Sequence, residues 1–496
     1  MLLYNIPLLM VLAFLGLTLV IGLCVSQKQT TFREYAVGNK RFQTITLVVT
    51  LLATIFGGGS LMRSTTKVHS LGLYFIIYWF GLPFSFYMTS LVAWRMGPFL
   101  QHLSIAETMG VYGKWPRVIT ALLTICNNIG VFSIQIQVMA SSISMCIDSI
   151  HPNIIVILST LVLITYTMLG GIRSVTITDV LQFVTFITII ALIAKLIFIN
   201  INKSTLEIIL FLQEQEKFQW KSLLHFNKKI VKLVTIMISF FIPDLTASFI
   251  QVGYMASSAI QVKKVFTRAS FLNFFITSII MLIGVFTFVY NPVLAKEEIW
   301  TYIISNMSPF YKGCIIISVL GLAMSTSDSF LHTASIMVSH DIMESIRGIN
   351  RVPDTHKLLV SKLTAVVSGL LAMVVTIYYN NLFELSMFVF SFCVDFFFTV
   401  VIAPFLLMLF GFRGTSRTAL IGMTTGILTS LAWNQWIEPI TGIDNQFICT
   451  LANGLAMMAA HYLLPQPAGK GWVGLSDQQK RMQQLMKTFD KTLQDS

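Results

Sequence analysis

The chain has 496 residues, of which 55% are hydrophobic and only 11% charged, and its mean hydropathy is +0.78. That composition excludes a soluble globular protein, because too few polar residues remain to cover a surface, and it indicates a polytopic membrane protein. A formal net charge of +12 would suggest nucleic acid in a soluble chain, but in a membrane protein basic residues report sidedness first, so no nucleic-acid partner is expected.

A hydrocarbon core about 30 Å thick takes roughly 20 apolar residues per helical crossing. The sequence offers about thirteen such runs, from Pro7–Val25 to Leu451–Leu464. The alternating segments that a membrane barrel requires are not found. The expected fold is therefore all-α and integral to the membrane. The first 25 residues have no basic flank or small-residue cleavage site, so they read as a retained first helix and not as a removed signal peptide.

Basic residues recur in alternate connections: Lys28, Arg33, Lys40 and Arg41; Arg95, Lys114 and Arg117; Lys263, Lys264 and Arg268; Arg347, Arg351 and Lys357; Arg413 and Arg417. The positive-inside rule makes that side cytoplasmic. In an inner or plasma membrane this places the amino terminus outside and the tail "KRMQQLMKTFDKTLQDS" inside. The connection over 201–230 runs against the bias, with Lys203, Lys217, Lys221, Lys228 and Lys229 on the outer side beside Glu207, Glu214 and Glu216.

Glycine clusters at membrane depth matter because lipid cannot satisfy a freed backbone group. "ATIFGGGSLMRS", Ala53–Ser64, holds three consecutive glycines, each about 1 kcal/mol worse than alanine in a helix. The alternative to a break is close helix packing through small residues. Just beyond lies Arg63, which either snorkels to the outer interface near Lys67 or clamps a solute carboxylate with its planar fork.

"YTMLGGIRSVTITDVLQF", Tyr166–Phe183, reads as a helix end, a Gly-Gly turn and a new helix opening with Thr178 and Asp179. The simple reading of Asp179 is a charge complementing the helix dipole. In "FFIPDLTASF", Phe240–Phe249, Pro243 removes a backbone donor and Asp244 is a costly intramembrane charge. The two suspected breaks fall in spans that run in opposite directions, as in an inverted repeat whose broken helices frame a midplane site.

"GLAMSTSDSF", 321–330, puts Ser325, Asp328, Ser329 and His332 within roughly a 100° arc of one helix, with Ser339 on the same side. Such a stripe faces protein or a watered path, not lipid. Hydroxyls in membrane helices often bond back to the preceding turn. A carboxylate beside them, and carbonyls freed at a broken helix, make a set of hard oxygen ligands suited to a desolvated cation. His332 is read either as a packed histidine or as a titratable group on an ion exit path. The six cysteines show no CxxC pair and are read as packing residues.

Three segments carry a family resemblance. "YTMLGGIRSVTITDVLQF" resembles the signature of the sodium:solute symporter family, "LAMSTSDSFLHTASIMVSHDI" resembles its acidic-ended eighth core helix, here reaching Asp341, and "REYAVGNKRF" resembles its first cytoplasmic loop. The similarity spans about residues 30 to 410. It implies two inverted five-helix repeats of the amino-acid-transporter type, over 45–200 and 231–410, preceded by an extra helix and first loop in 1–44, and followed by two helices in 411–465 and a cytoplasmic tail in 466–496.

The resemblance further implies sodium held by the carbonyls of Ala53, Phe56 and Leu322 and the hydroxyls of Ser325 and Thr326. In some members a second cation is held at positions matching Asp179, Ser325, Asp328 and Ser329. The solute would sit at Gly57, Gly58, Gly59 and Ser60, against Gln135 and Gln137 and the second break at Asp244, with Arg63 above it. "SSISMCID" looks like the choline-transporting branch, but an aromatic cage for a quaternary amine is lacking: Ile55 stands where a tryptophan is expected and Asp244 follows Pro243. Val252, after Gln251, stands where that family has arginine.

The function expected is sodium-driven import of a small polar organic solute by alternating access, with sodium as coupling ion and no other cofactor. Two alternatives stand beside it: the same fold driven by protons through Asp179, Asp328 and His332, or a membrane sensor that binds solute without moving it. An enzyme is not expected, since the eight histidines are scattered without an HExxH pair. Neither the solute's identity nor its charge follows from these residues.

Overall fold

The structure is a computed structural model. It describes residues 5–25, 31–146, 151–223, 227–305, 307–348, 351–379 and 381–473. Lys28 and the tail from 474 onward lie outside the described residues.

Helices make up almost all of it. The first part of the chain forms α1 (Ile6–Val25), α2 (Phe32–Val37), α3 (Thr44–Ile55), α4 (Gly58–Leu71), α5 (Leu73–Ala93), α6 (Ile105–Met109), α7 (Lys114–Ser144) and α8 (Pro152–Ile201). The middle forms α9 (Thr205–Glu214), α10 (Lys228–Ser239), α11 (Ala247–Met255), α12 (Ala259–Tyr290), α13 (Ile299–Ser305), α14 (Pro309–Ile336) and α15 (Met343–Arg347). The last part forms α16 (Asp354–Tyr378), α17 (Leu382–Phe388), α18 (Asp395–Leu409), α19 (Ser416–Ala432), α20 (Glu438–Thr441) and α21 (Asn445–Leu463). One short antiparallel ladder pairs β1 (Phe412–Arg413) with β2 (Gly471–Trp472).

Among the described residues seven helices are long and apolar enough to cross a membrane, or eight if the bent pair α3 and α4 is one span. That is fewer than the thirteen or so runs expected, and the reason lies in the breaks. The axis turns by 58° between α3 and α4, and α10 and α11 are separated by the irregular stretch 240–246. Broken and short helices fail a length criterion that continuous runs of apolar sequence pass.

The break after α3 and the Gly-Gly turn inside α8 have local causes. Phe56 ends α3 with φ −88°, ψ 86°, and Gly57 is extended at φ −81°, ψ 158°. A Cβ on Gly58 would lie 2.9 Å from the Val319 carbonyl of α14, and one on Gly59 2.6 Å from Ile134 of α7. The glycines therefore let two neighbouring helices come into backbone range as well as releasing the helix. In α8 the turn occurs at Gly171, whose φ of 59° lies in the left-handed region that favours glycine.

α14 is the buried axis of the bundle. Its apolar window, with the π-helical turn Met337–Ile342 and α15 that continue it, is 89% buried, against 33% for α16. All of the polar stripe from Ser325 to Ser339 faces protein: Ser325, Asp328, Ser329, His332 and Ser339 are each at most 8% exposed.

The connections marked by basic residues gather at one end. Arg33 donates to the Gln101 carbonyl and side chain at 3.1 and 2.7 Å, and Lys40 donates to the Leu100 carbonyl. The Phe32 amide donates to Asp354 at 3.0 Å, Gln261 to the Phe42 carbonyl at 2.9 Å, and Arg413 lies over the Phe99 ring. The lysines of 201–230 are partly spent on structure at the other end. Lys217 donates to the His69 carbonyl at 2.8 Å and sits over Phe288, and Lys228 reaches the Pro439 carbonyl at 3.2 Å.

Candidate functional site

The end of α3 supplies the first half of the site. A helix leaves its last carbonyls without intrahelical partners. The Ser60 and Leu61 amides both turn to the Gly57 carbonyl, at 2.9 and 3.2 Å, which leaves the carbonyls just before the break to other partners.

The second half comes from α14. The Ser325 hydroxyl lies 3.0 Å from the Ala53 carbonyl and 3.1 Å from that of Leu322. The Thr326 hydroxyl lies 3.3 Å from the Ala53 carbonyl and 3.4 Å from that of Thr54. Four of the five expected sodium ligands are thus linked by hydrogen-bond distances that run through Ser325 and the Ala53 carbonyl. Phe56 closes the break beside them, 2% exposed, with its ring against Phe186. A hard cation with metal–oxygen distances of about 2.3–2.6 Å has octahedral edges of about 3.3–3.7 Å. The observed oxygen spacings need open by only a few tenths of an ångström. The hydroxyls now donate to carbonyls, and rotation of each O–H would present lone pairs to an ion instead.

A carboxylate pair lies in the same layer. Asp179 and Asp328 are both 0% exposed and interact electrostatically with each other. Asp328 accepts from the Thr167 hydroxyl at 2.7 Å. Neither oxygen of Asp179 has a well-formed hydrogen bond among the described residues, and its polar neighbour Thr50 is equally unsatisfied. Ser329 is bonded to the Thr54 hydroxyl at 2.8 Å, next to the first cluster. Two ionised carboxylates in one buried layer repel without a positive charge between them. Asp179 does not open its helix. It lies eight residues beyond Gly171, more than two turns along, so the helix-dipole reading is corrected.

The expected solute residues divide. Gln135 presses on the break, since a Cβ on Gly57 would stand 2.7 Å from its Nε2. Gln137 is two residues on, about 200° around α7, and so cannot share that face. Asp244 is turned into its own backbone: its Oδ1 accepts from the Thr246 amide and hydroxyl at 3.1 and 2.7 Å. It organises the entry to α11, which is why a charge is tolerated there. Arg63 does not snorkel outward. Its guanidinium lies 4.2 Å from the Phe390 ring centre and 5.9 Å from that of Trp79.

His332 packs. Its ring lies 4.8 Å from Tyr35 and its Nε2 is 3.4 Å from the Ala36 carbonyl, which also accepts from Gln251 at 3.2 Å. Gln251 thereby ties α11 to the first loop.

A second polar cluster escaped the sequence reading. Arg117 donates to Asp341 at 2.8 Å and Glu344 at 3.2 Å, and Lys357 to Glu344 at 2.5 Å. His340 bridges Glu107 at 3.1 Å and Glu344 at 3.3 Å, and Ser104 donates to Asp341 at 2.7 Å. Arg117 and Lys357 read from sequence as loop charges, yet both are less than 9% exposed. The available signal was the His340–Glu344 spacing of one helical turn, next to Asp341. Burial opposes ionisation of Glu107, but the bonds from His340 and the Leu103 amide outweigh it and hold that carboxyl below its ordinary 4.5.

With this geometry in view, the chain can be compared with known proteins. No family model matches. A solved sodium-coupled sialic acid symporter, in a substrate-bound outward-open state, superposes with a TM-score of 0.82 over 95% of this chain and 99% of its own, at 21% identity. The chain has the fold of a sodium-coupled symporter. Its curated relatives include the sodium/sialic acid symporter NanT of Aliivibrio fischeri, 23% identical over 91% of this chain and 92% of that protein. The sodium/sialic acid symporter SiaT of Proteus mirabilis is 24% identical over 84% and 87%. A nucleobase-cation-symport-1 family transporter, Mhp1, in a closed conformation superposes with a TM-score of 0.58 at 12% identity, covering 89% of this chain and 98% of its own. Both of these curated relatives are named as sodium/sialic acid symporters.

Proposed function

We propose that the protein is a sodium-coupled secondary active symporter, not an enzyme, that imports a small organic solute with a polar end by alternating access. The observation that carries this reading is the convergence of Ser325 and Thr326 on the Ala53 carbonyl at the broken end of α3. On this reading Ala53, Phe56, Leu322, Ser325 and Thr326 hold sodium, and Asp179, Asp328, Ser325 and Ser329 hold a second cation. Sodium joins α3 to α14 and stabilises one arrangement of the bundle, so that solute binding favours closure. Each ligand must then raise the other's affinity by the same factor.

The same reading takes about thirteen crossings, counting the broken spans, the shorter apolar helices Ile6–Gly22 and Pro152–Thr165, and α19 and α21. It arranges 45–200 and 231–410 as inverted five-helix repeats, with the breaks after α3 and α10 in corresponding places. The end that gathers Arg33, Lys40, Gln101 and Asp354 is cytoplasmic, which leaves the amino terminus outside and the tail inside.

The buried pair Asp179 and Asp328 favours one second reading, proton coupling, because a proton can neutralise it as sodium can. Uptake into proteoliposomes under an inward sodium gradient separates them. Sodium symport predicts loss of accumulation when sodium is replaced by potassium at fixed pH, whereas proton symport predicts accumulation that follows the pH gradient in potassium. N-acetylneuraminate is the first solute to test, because the relatives are named for sialic acid.

A further inference from the structure

The polar groups around the two breaks differ in whether the protein has already used them. At the second break most are spent internally, the buried Ser248 hydroxyl being left without a partner among the described residues. Ser85 donates to the Ile242 carbonyl at 3.0 Å, Thr89 to that of Asp244 at 3.1 Å, and Asp244 is closed on Thr246. Toward the cation layer, Thr54, Ser325, Thr326 and Ser329 are bonded to one another or to carbonyls.

At the first break several groups remain: Arg63, Trp79 and Gln135, and further along α4 the Ser64 and Thr65 hydroxyls, which are buried without a partner among the described residues. No carboxylate lies within 4 Å of Arg63 among the described residues. Among the described residues, the Trp79 Nε1–H is buried without an acceptor, and Gln135 Oε1 is buried without a donor. Arg63 lies on α4 one turn beyond Ser60, the Trp79 ring centre lies 5.9 Å from its guanidinium, and Gln135 touches Gly57.

The walls beside Arg63 are aromatic and aliphatic. Trp79 stacks on Phe75 at 5.6 Å and neighbours Tyr78, which in turn meets Phe240 at 5.8 Å. Phe390 covers the guanidinium from the π-helical turn Val389–Val394. Ile134 and Val138 close the side next to Gly58 and Gly59.

From this we infer that the solute is a monocarboxylate with an apolar body of aromatic size, its carboxylate held by Arg63 and the Trp79 indole and its body lying against the aromatic wall. The inference rests on the symport reading above and narrows its solute. A guanidinium is permanently charged, and its fork suits a carboxylate. Ring faces offset part of its desolvation but supply no counter-charge. A cationic solute would be repelled. A polyhydroxylated acid such as a sialic acid needs a partner for each buried hydroxyl, and the wall beside Arg63, built from Phe75, Trp79, Phe240, Phe390, Ile134 and Val138, offers few. Such a preference would set this chain apart from the relatives that carry sialic acid in their names.

The test is equilibrium binding to the purified full chain, in sodium and in potassium, of three probes: phenyllactate, its neutral amide phenyllactamide, and N-acetylneuraminate. Wild type, Arg63→Gln and Arg63→Lys are compared, with sodium binding measured in each as the check on folding. The expected result is sodium-dependent binding of phenyllactate, with the amide and N-acetylneuraminate weaker by about tenfold or more. Arg63→Gln weakens phenyllactate by about tenfold to a hundredfold and Arg63→Lys by less, with sodium binding retained. Tighter binding of N-acetylneuraminate than phenyllactate, equal binding of acid and amide, an unchanged affinity in Arg63→Gln, or no phenyllactate binding while sodium still binds would each overturn the inference and leave symport standing. Absence of sodium binding in the wild type would instead remove the reading beneath it.

Discussion

The Ser325 hydroxyl lies 3.0 Å from the carbonyl of Ala53, 272 residues earlier in the chain. That contact joins the intact central helix α14 to the broken end of α3, so an ion bound there would couple the two. Removing the hydroxyl leaves a desolvated cation short of one ligand. Ser325→Ala or Thr326→Ala should therefore raise the sodium concentration needed for half-maximal uptake by about tenfold, or about 1.4 kcal/mol. Sodium titrations that overlay the wild type in both variants would remove these residues from the site.

Gly57 and Gly58 should respond differently to alanine although they are adjacent. At Gly57 the new methyl meets the movable end of Gln135, whereas at Gly58 it meets the Val319 backbone carbonyl at 2.9 Å. Gly57→Ala should fold normally and weaken solute binding. Gly58→Ala should lower thermal stability by about 1–3 kcal/mol through overpacking. Equal melting temperatures for the two variants would contradict the close approach of α4 to α14.

The Asp179 and Asp328 pair predicts a change in sodium stoichiometry. Asp179→Asn removes one of the charges that would hold a second cation, so the Hill slope for sodium should fall from about two toward about one, with the Ser325 site still filled. A slope that stays put while the pH dependence of uptake disappears would assign the pair to protons.

At the other polar cluster, Arg117 and Asp341 form a buried ion pair at 2.8 Å. Cutting one partner strands the other, which typically costs about 3–5 kcal/mol. Arg117→Met should destabilise strongly, and Arg117→Met combined with Asp341→Leu less than the sum of the two single changes. Additive melting shifts would show that the two side chains do not interact in solution.

Glu107 adds a pH dependence whose sign is fixed. Its carboxyl titrates below the ordinary 4.5, so its contribution is complete above that value and is lost as the pH falls through the lowered one. Melting temperature should drop between about pH 5 and about pH 3 more steeply in wild type than in Glu107→Gln. Parallel profiles would place Glu107 outside the network.

The oxygen-rich contact between α3 and α14 was legible in the sequence because its signals are local. Three glycines in an apolar run mark a break, and Ser325, Asp328 and Ser329 mark one face of a helix whatever packs against it. The network around Arg117, Asp341 and Glu344 was not legible. Arg117, Glu107 and Lys357 look like ordinary loop charges until the chain folds, and only the tertiary arrangement brings them to His340, Asp341 and Glu344. Gln137 stands off the face of Gln135 for a geometric reason, since residues two apart on a helix face different ways. Asp244 is engaged by Thr246, so close in sequence that a turn competes with ligand binding.

The central claim is that α3 and α14 together hold sodium, and it can be tested without knowing the solute. Radiolabelled sodium binding to the purified chain should be saturable, displaced by unlabelled sodium but not by potassium, and weakened by about tenfold or more in the Ser325→Ala, Thr326→Ala double variant. Sodium binding that is absent from the wild type, or unchanged in the double variant, would contradict it.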